Sequence, residues 1–162
     1  RVADALKEVV IDQSDFILDY GCGTGLSGSA LQAVGFKNID GLDVSQEMVN
    51  LAEKKSIYKN LRVFDPSDEI PVYSDQYKII TAIGVIGAGA APLQIFDSLF
   101  SLLPPNGLFA FSFNDHTLND PNYEKKVKQC LDSGHASILH KSYGSHLPKA
   151  NLNSNIYILK KL

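Results

Sequence analysis

Residues 16–28 constrain this chain more than any other stretch. An apolar run, Phe16-Ile17-Leu18, passes through Asp19-Tyr20 into Gly21-Cys22-Gly23-Thr24-Gly25 and then Leu26-Ser27-Gly28. That order reads as a buried strand ending in a carboxylate, a glycine-rich turn and the start of a helix. A strand–turn–helix of this kind presents close backbone and helix N–H groups to a nucleotide-like ligand.

The glycine spacing fits two ligands. Gly21, Gly23 and Gly25 form G-x-G-x-G, whereas Gly23, Gly25 and Gly28 form the G-x-G-x-x-G of dinucleotide binders. Asp43 lies 20 residues after Gly23, at the end of a second apolar stretch, Ile39 to Leu42. An acid at that place suits the ribose hydroxyls of either ligand. Asp19 separates the two. Its carboxylate is expected to sit beside the turn, where it would repel a pyrophosphate and attract a cation. S-adenosylmethionine has no phosphate and carries a sulfonium and an ammonium, so the methyl-donor reading gains where the NAD reading loses.

The remaining chain alternates helical and strand patterns. Val2, Ala5, Leu6, Val9 and Val10 share one helical face. A second helix carries Leu26, Ala30, Leu31 and Val34 and stops at Gly35, suited to a left-handed C-terminal cap. Strand two is expected at 39–43, and Ser45 caps a helix whose apolar side is Met48, Val49, Leu51 and Ala52. Leu61–Phe64 is a third strand, followed by a polar, proline-punctuated loop to Asp75. Tyr77–Ile83 suits a buried parallel strand. Pro92 opens a helix with Leu93, Phe96, Phe100 and Leu103 at helical spacing, stopped by Pro104-Pro105-Asn106-Gly107. Leu108–Phe113 is a fifth strand and 121–132 another helix. Alternation of this kind requires parallel pairing with right-handed crossovers. The tail differs: Ala136–Tyr143 and Asn155–Lys160 are two strand-like segments joined by a loop, hence an antiparallel hairpin.

With 162 residues, 44% hydrophobic and 20% charged, the chain has the length of one globular domain, 1–162. No apolar run approaches the about 20 residues of a membrane span, and no signal-peptide pattern opens it, which makes a cytoplasmic setting the expectation. Cys22 and Cys130 are the only cysteines, so neither a disulfide framework nor a cysteine zinc site is indicated, and no metal is expected. The chain starts at Arg1 and enters a helical pattern at once, so an N-terminal cover segment is expected to be missing. Residues 1–115 hold 8 basic and 15 acidic side chains and 116–162 hold 7 and 3, giving −7 and +4 and the total of −3. A basic tail could touch an acidic substrate or nucleic acid, but Lys125, Lys126 and Lys128 on a helix and Lys160 and Lys161 near the end read more simply as solvated surface.

Asp19-Tyr20-Gly21-Cys22-Gly23-Thr24-Gly25 resembles motif I of class I S-adenosylmethionine-dependent methyltransferases, and Gly41-Leu42-Asp43-Val44-Ser45-Gln46-Glu47-Met48 resembles their second motif. The order of later elements fits the same class across most of the chain. Ile83-Gly84-Val85-Ile86-Gly87 and the short tail look most like the small methyltransferase-like proteins of the Williams-Beuren type. The resemblance implies an α/β, Rossmann-like doubly wound sheet of about seven strands, mostly parallel with an antiparallel C-terminal hairpin strand. It also implies S-adenosylmethionine as cofactor.

Gly21, Gly23 and Gly25, with Cys22 among them, would let backbone approach the methionine part of the donor; a ligand-free tight turn is the plainer use. Asp19 would hold its ammonium, directly or through water, or else cap the following helix. Asp43 would bind the ribose diol. Val44 and Met48 could border adenine, although a Met at helical spacing is as readily core. By resemblance Asp65 would face the adenine amino group, with Pro66 departing from the pattern because proline lacks an N–H. Ala82, Ile83 and Gly84 would line the donor cleft. Lys78 occupies a position where the class often has an acid.

Displacement at a sulfonium methyl is governed by positioning, and a base is needed only if the acceptor must lose a proton. Asp115 and His116, with Asn114, are the catalytic candidates after strand five; His140, Tyr143 and His146 near the hairpin are weaker ones. No Asn-Pro-Pro-aromatic motif and no Pro-Cys nucleophile is present, and the mildly acidic chain lacks a basic, aromatic strip. A small-molecule acceptor is therefore favoured over nucleic acid. The competing readings are an NAD-dependent oxidoreductase, disfavoured by Asp19 and by the lack of a Tyr-x-x-x-Lys pair, and a non-catalytic module holding S-adenosylmethionine or S-adenosylhomocysteine. Oligomeric state is not legible.

Overall fold

The computed structural model describes residues 1–147 and 152–162. Three short strands, β1 (Ile17–Tyr20), β2 (Ile39–Asp43) and β4 (Ile79–Ala82), are each buried along their whole length, with Asp19, Asp40 and Asp43 buried among their apolar residues. Strands covered on both faces pair in parallel and need helical crossovers, here α2 (Leu26–Ala33), α3 (Gln46–Glu53) and α4 (Gln94–Leu102). With β3 (Asn60–Val63), β5 (Leu108–Asn114), β6 (Ala136–Leu147) and β7 (Leu152–Lys161), they make one seven-stranded sheet in the order β3-β2-β1-β4-β5-β7-β6. All pairings are parallel except those of β7, which runs antiparallel to β5 and β6. The expected Rossmann-like sheet and its antiparallel C-terminal strand are borne out.

Period-2 alternation divides the core between the two faces. Leu18, Ile80, Phe109 and Phe111 pack under α4 and under α6 (Pro121–Asp132), with Phe96 and Tyr157 closing an aromatic cluster. Ile17, Ile39, Ile79 and Ala110 pack under α2 and under α1 (Val2–Val9). Among the described residues no helix is long and apolar enough to cross a membrane.

Several boundaries differ from expectation. Phe16 lies outside β1 and is exposed, its ring beneath Lys59. Tyr77 and Ile83 flank β4 instead of belonging to it. A short α5 (Asp115–Leu118) was not foreseen; the Asn114 side chain caps it by accepting from Thr117 N. β6 runs past Tyr143 because β7 offers partners even to Gly144 and Ser145, and pairing overrides their poor strand propensity. Leu26, Met48 and Leu51 do not join the core: α2 buries Gly28 and Leu31, α3 buries Val49 and Ala52, and helices of eight residues bury only a narrow stripe.

Candidate functional site

The strand order reverses between β1 and β4, and the crevice at the carboxyl ends of such strands is where open α/β sheets hold ligands. A glycine lies just beyond each strand, next after β1 and two residues after β4. Gly21, Gly23 and Gly25 follow β1 with φ of +66°, +52° and +84°, and Gly84 follows β4 with φ of +71°. A side-chain-bearing residue in that region costs about 1–2 kcal/mol. At Gly21 there is also no room, since a Cβ would come within 2.6 Å of Val85 Cγ1. At Gly23 the opposite holds: a Cβ would meet nothing within 4 Å, so this part of the turn faces open space.

Two cavities meet over Gly21 and Gly84, which line both. The first, about 500 Å³, is walled by Asp43, Val44, Phe64, Ile70, Pro92 and Ile95 among others; among the described residues its charged ones are Asp43 and Asp68, with no lysine or arginine. The second, about 460 Å³, adds Cys22, Gly23, Leu26, Ile83 and Arg1. Together they bring Gly21, Cys22, Gly23, Asp43, Val44, Ile83 and Gly84 to one cleft.

Asp43 ends β2 and is 8% exposed. It ties the turn down: Gly23 N donates to Oδ2 at 2.8 Å and Ser45 N donates to Oδ1 at 2.9 Å. Each carboxylate oxygen keeps accepting capacity toward the cavity. Gly84 is held similarly, its N–H donating to Ser112 Oγ at 2.9 Å.

Asp19 lies deeper than its place in the sequence suggests. It is fully buried beneath the turn, where Ser27 Oγ (2.6 Å) and Tyr58 OH (2.7 Å) donate to Oδ2 and Thr81 Oγ1 (2.8 Å) donates to Oδ1. Burial pushes its carboxyl above the usual range, against the pull of those hydrogen bonds. β1 is covered on both faces, and neighbouring hydroxyls bond both oxygens. Burial, reinforced by Asp19 and Asp43, likewise pushes the Cys22 thiol up to about 12, so it is a wall residue and not a nucleophile.

Other expected residues lie elsewhere. Met48 is 39% exposed and lines neither cavity. Asp65 folds back on Ser67, accepting from its N and Oγ at 2.9 and 2.7 Å, and its neighbours Phe64 and Pro66 line the first cavity instead. Asp115 accepts from Tyr143 OH at 2.7 Å and Asn153 N at 2.9 Å, so it fastens the β6–β7 hairpin; exposed His116 and Asp115 both lie outside the cavity walls. His140 pairs with Ser142 Oγ, and the His146 side chain is outside the described residues. Lys78 pairs with Asp15 at 2.8 Å at the far end of the sheet. Sequence reasoning passed over Phe64 and Ser112. Both stand at or near strand carboxyl ends, and that position was the available signal.

The methyltransferase domain family matches residues 1–153. The chain belongs to that family. This methyltransferase domain is 28% identical over 120 residues to Methyltransferase-like protein 27 of Homo sapiens, covering 74% of the chain and 48% of the relative. It is 31% identical over 109 residues to the ribosomal protein L11 methyltransferase of Cellvibrio japonicus, covering 63% of the chain and 36% of the relative. The domain thus spans half or less of the length of these relatives. In fold it is similar to magnesium protoporphyrin IX methyltransferase from Synechocystis PCC 6803, solved with bound SAM: the TM-score is 0.70 at 20% identity, over 99% of this chain and 76% of that one. The methyltransferase resemblance read from the two glycine- and aspartate-bearing motifs holds.

Proposed function

We propose that this methyltransferase domain binds S-adenosylmethionine across the two cavities and transfers its methyl group to a small organic acceptor. The observation that carries the reading is a glycine turn open at Gly23 and hydrogen-bonded to Asp43, next to a first cavity whose described lining holds Asp43, Asp68 and apolar groups without a basic side chain. Such a wall suits a ligand with cationic centres and ribose hydroxyls, and disfavours a pyrophosphate. The residues of the first cavity therefore fit the donor better than NAD.

Bound there, the donor would supply a methyl group on a sulfonium, a leaving group that needs no acid. The chain's contribution is placement. Asp43 has accepting capacity for the ribose diol, Val44, Phe64 and Ile70 offer apolar surface for a purine, and the backbone at Gly21, Gly23 and Gly84 admits close approach. The N-terminal turn of α2 favours a carboxylate. With Asp115 and His116 away from the cavity walls, transfer rests on proximity and orientation, which can supply about 7–11 kcal/mol of a barrier.

An acceptor of small size is supported by a net charge of −3, which works against a polyanionic acceptor. The test is an assay of S-adenosylhomocysteine formation with panels of small phenols, amines and carboxylates beside ribosomal RNA and a ribosomal protein. Turnover with the small molecules is expected; turnover confined to the RNA or protein would contradict the acceptor assignment.

A further inference from the structure

Tyr58 stands in the connection between α3 and β3 and lines neither cavity, yet its side chain reaches under the glycine turn. Its hydroxyl donates to Asp19 Oδ2 at 2.7 Å and accepts from Gly28 N at 3.2 Å. Gly28 is in the first turn of α2, whose N–H groups have no partner within the helix, and the residue at the N-cap is Gly25, with no side chain to cap them. Tyr58 therefore supplies from a distance the cap that Gly25 cannot.

Its ring also accounts for glycines that backbone conformation does not require. Gly28 and Gly41 do not have positive φ. A Cβ on Gly28 would stand 2.5 Å from Tyr58 Cζ, and one on Gly41 would stand 3.0 Å from Tyr58 Cδ1, with Leu61 and Cys22 crowding it further. A Cβ on Gly25 would lie 3.3 Å from Tyr58 Cε2. α2 and β2 are each cut back to glycine where this ring passes, whereas Gly25 is already required by its φ of +84°. The last glycine of the dinucleotide-like spacing thus has an occupant of its own, and it is a tyrosine.

We infer that Tyr58 is a positioning residue for the donor site, bracing the glycine turn and the first turn of α2 against β1 and β2 so that donor affinity depends on a side chain outside the cleft. The inference rests on the donor reading given above. Placement of Gly23 and the α2 N–H groups is what a donor would meet, and without the brace those groups keep the turn's own bonds, Asp43, the Cys22 N–H bond to Leu42 O and the Ser27 Oγ bond to Asp19.

The experiment compares wild type with Tyr58→Phe and Gly28→Ala by S-adenosylhomocysteine titration, thermal melting and amide hydrogen exchange. Tyr58→Phe keeps the ring and removes the hydroxyl; Gly28→Ala keeps the hydroxyl and displaces the ring. Both are expected to stay folded, to exchange the amides of residues 23–28 at least about tenfold faster with the core strands unchanged, and to bind S-adenosylhomocysteine about tenfold more weakly, the size of about one hydrogen bond. Wild-type affinity in Tyr58→Phe, or acceleration spread evenly over all amides, would overturn the inference. If wild type itself fails to bind, the donor reading falls, and the exchange comparison still decides the brace: local acceleration upholds it and unchanged exchange refutes it.

Discussion

Asp43 Oδ2 accepts the N–H of Gly23 at 2.8 Å, joining the end of β2 to the middle of the turn that follows β1. The acid proposed to face the ribose is therefore also a structural fastener, since Ser45 N bonds its other oxygen at 2.9 Å. Asp43→Ala leaves two backbone donors short of a partner and is expected to lower stability by about 1–3 kcal/mol, or Tm by about 2–4 °C per kcal/mol. Thermal melting without ligand checks this; an unchanged Tm would show that the turn does not need the bond.

Gly21 is confined twice, by φ of +66° and by Val85. Gly21→Ala is expected to cost about 1–2 kcal/mol for the backbone alone, with the clash on top. Adding Val85→Ala should recover the steric part and leave the backbone part. Full recovery in the double variant, by denaturant melts, would show that φ carries no penalty here.

Asp19 carries a pH signature. Burial raises its folded-state pKa above the unfolded value, so the stability it contributes is complete below the ordinary carboxylate range and is lost as pH rises through the raised pKa. Asp19→Asn, neutral at every pH, should flatten this decline and equal or exceed wild type at pH 9, while Asp19→Ala should be destabilised throughout by about 1–3 kcal/mol for the orphaned hydroxyls. Parallel pH–stability curves for wild type and Asp19→Asn would contradict the assignment.

Glu124 behaves in the opposite sense. Its Oε1 accepts from Tyr157 OH (2.6 Å), Lys141 Nζ (3.0 Å) and Asn155 Nδ2 (3.2 Å), which pins α6 to the C-terminal strands. The Tyr157 hydrogen bond, then Lys141, holds its pKa below the ordinary 4.5. Its contribution is thus present above the unfolded value and lost as pH falls through the lowered one. Glu124→Gln should lower stability at pH 7 by about 1 kcal/mol, mostly through the Tyr157 bond because the exposed lysine pair adds little, and should reduce the loss on acidification. Denaturant melts at pH 7 and pH 3 measure both effects.

Much of this architecture is legible in the chain because apolar runs of strand length alternate with helical spacing and end at glycine or proline. Ile39–Asp43 and Leu108–Phe113 need no tertiary information to be read as strands. Asp19 could not be read in the same way. Its burial depends on Thr81 and Tyr58, 62 and 39 residues away, and neither carries a local mark. Met48 and Leu51 have helical spacing that suits a core face, yet their exposure depends on which stripe α3 turns toward the sheet. Asp115 sits where a catalytic acid could stand, and only the pairing of β6 with β7 shows that it is spent on Tyr143 and Asn153.

The most direct test of the central claim is calorimetric titration of the domain with S-adenosylmethionine, S-adenosylhomocysteine and NAD, beside Asp43→Asn. The account predicts that both sulfur ligands bind, that Asp43→Asn weakens them at least about tenfold, a loss of about 1.4 kcal/mol, and that NAD gives no heat. Binding of NAD with silence from the sulfur ligands would contradict the account.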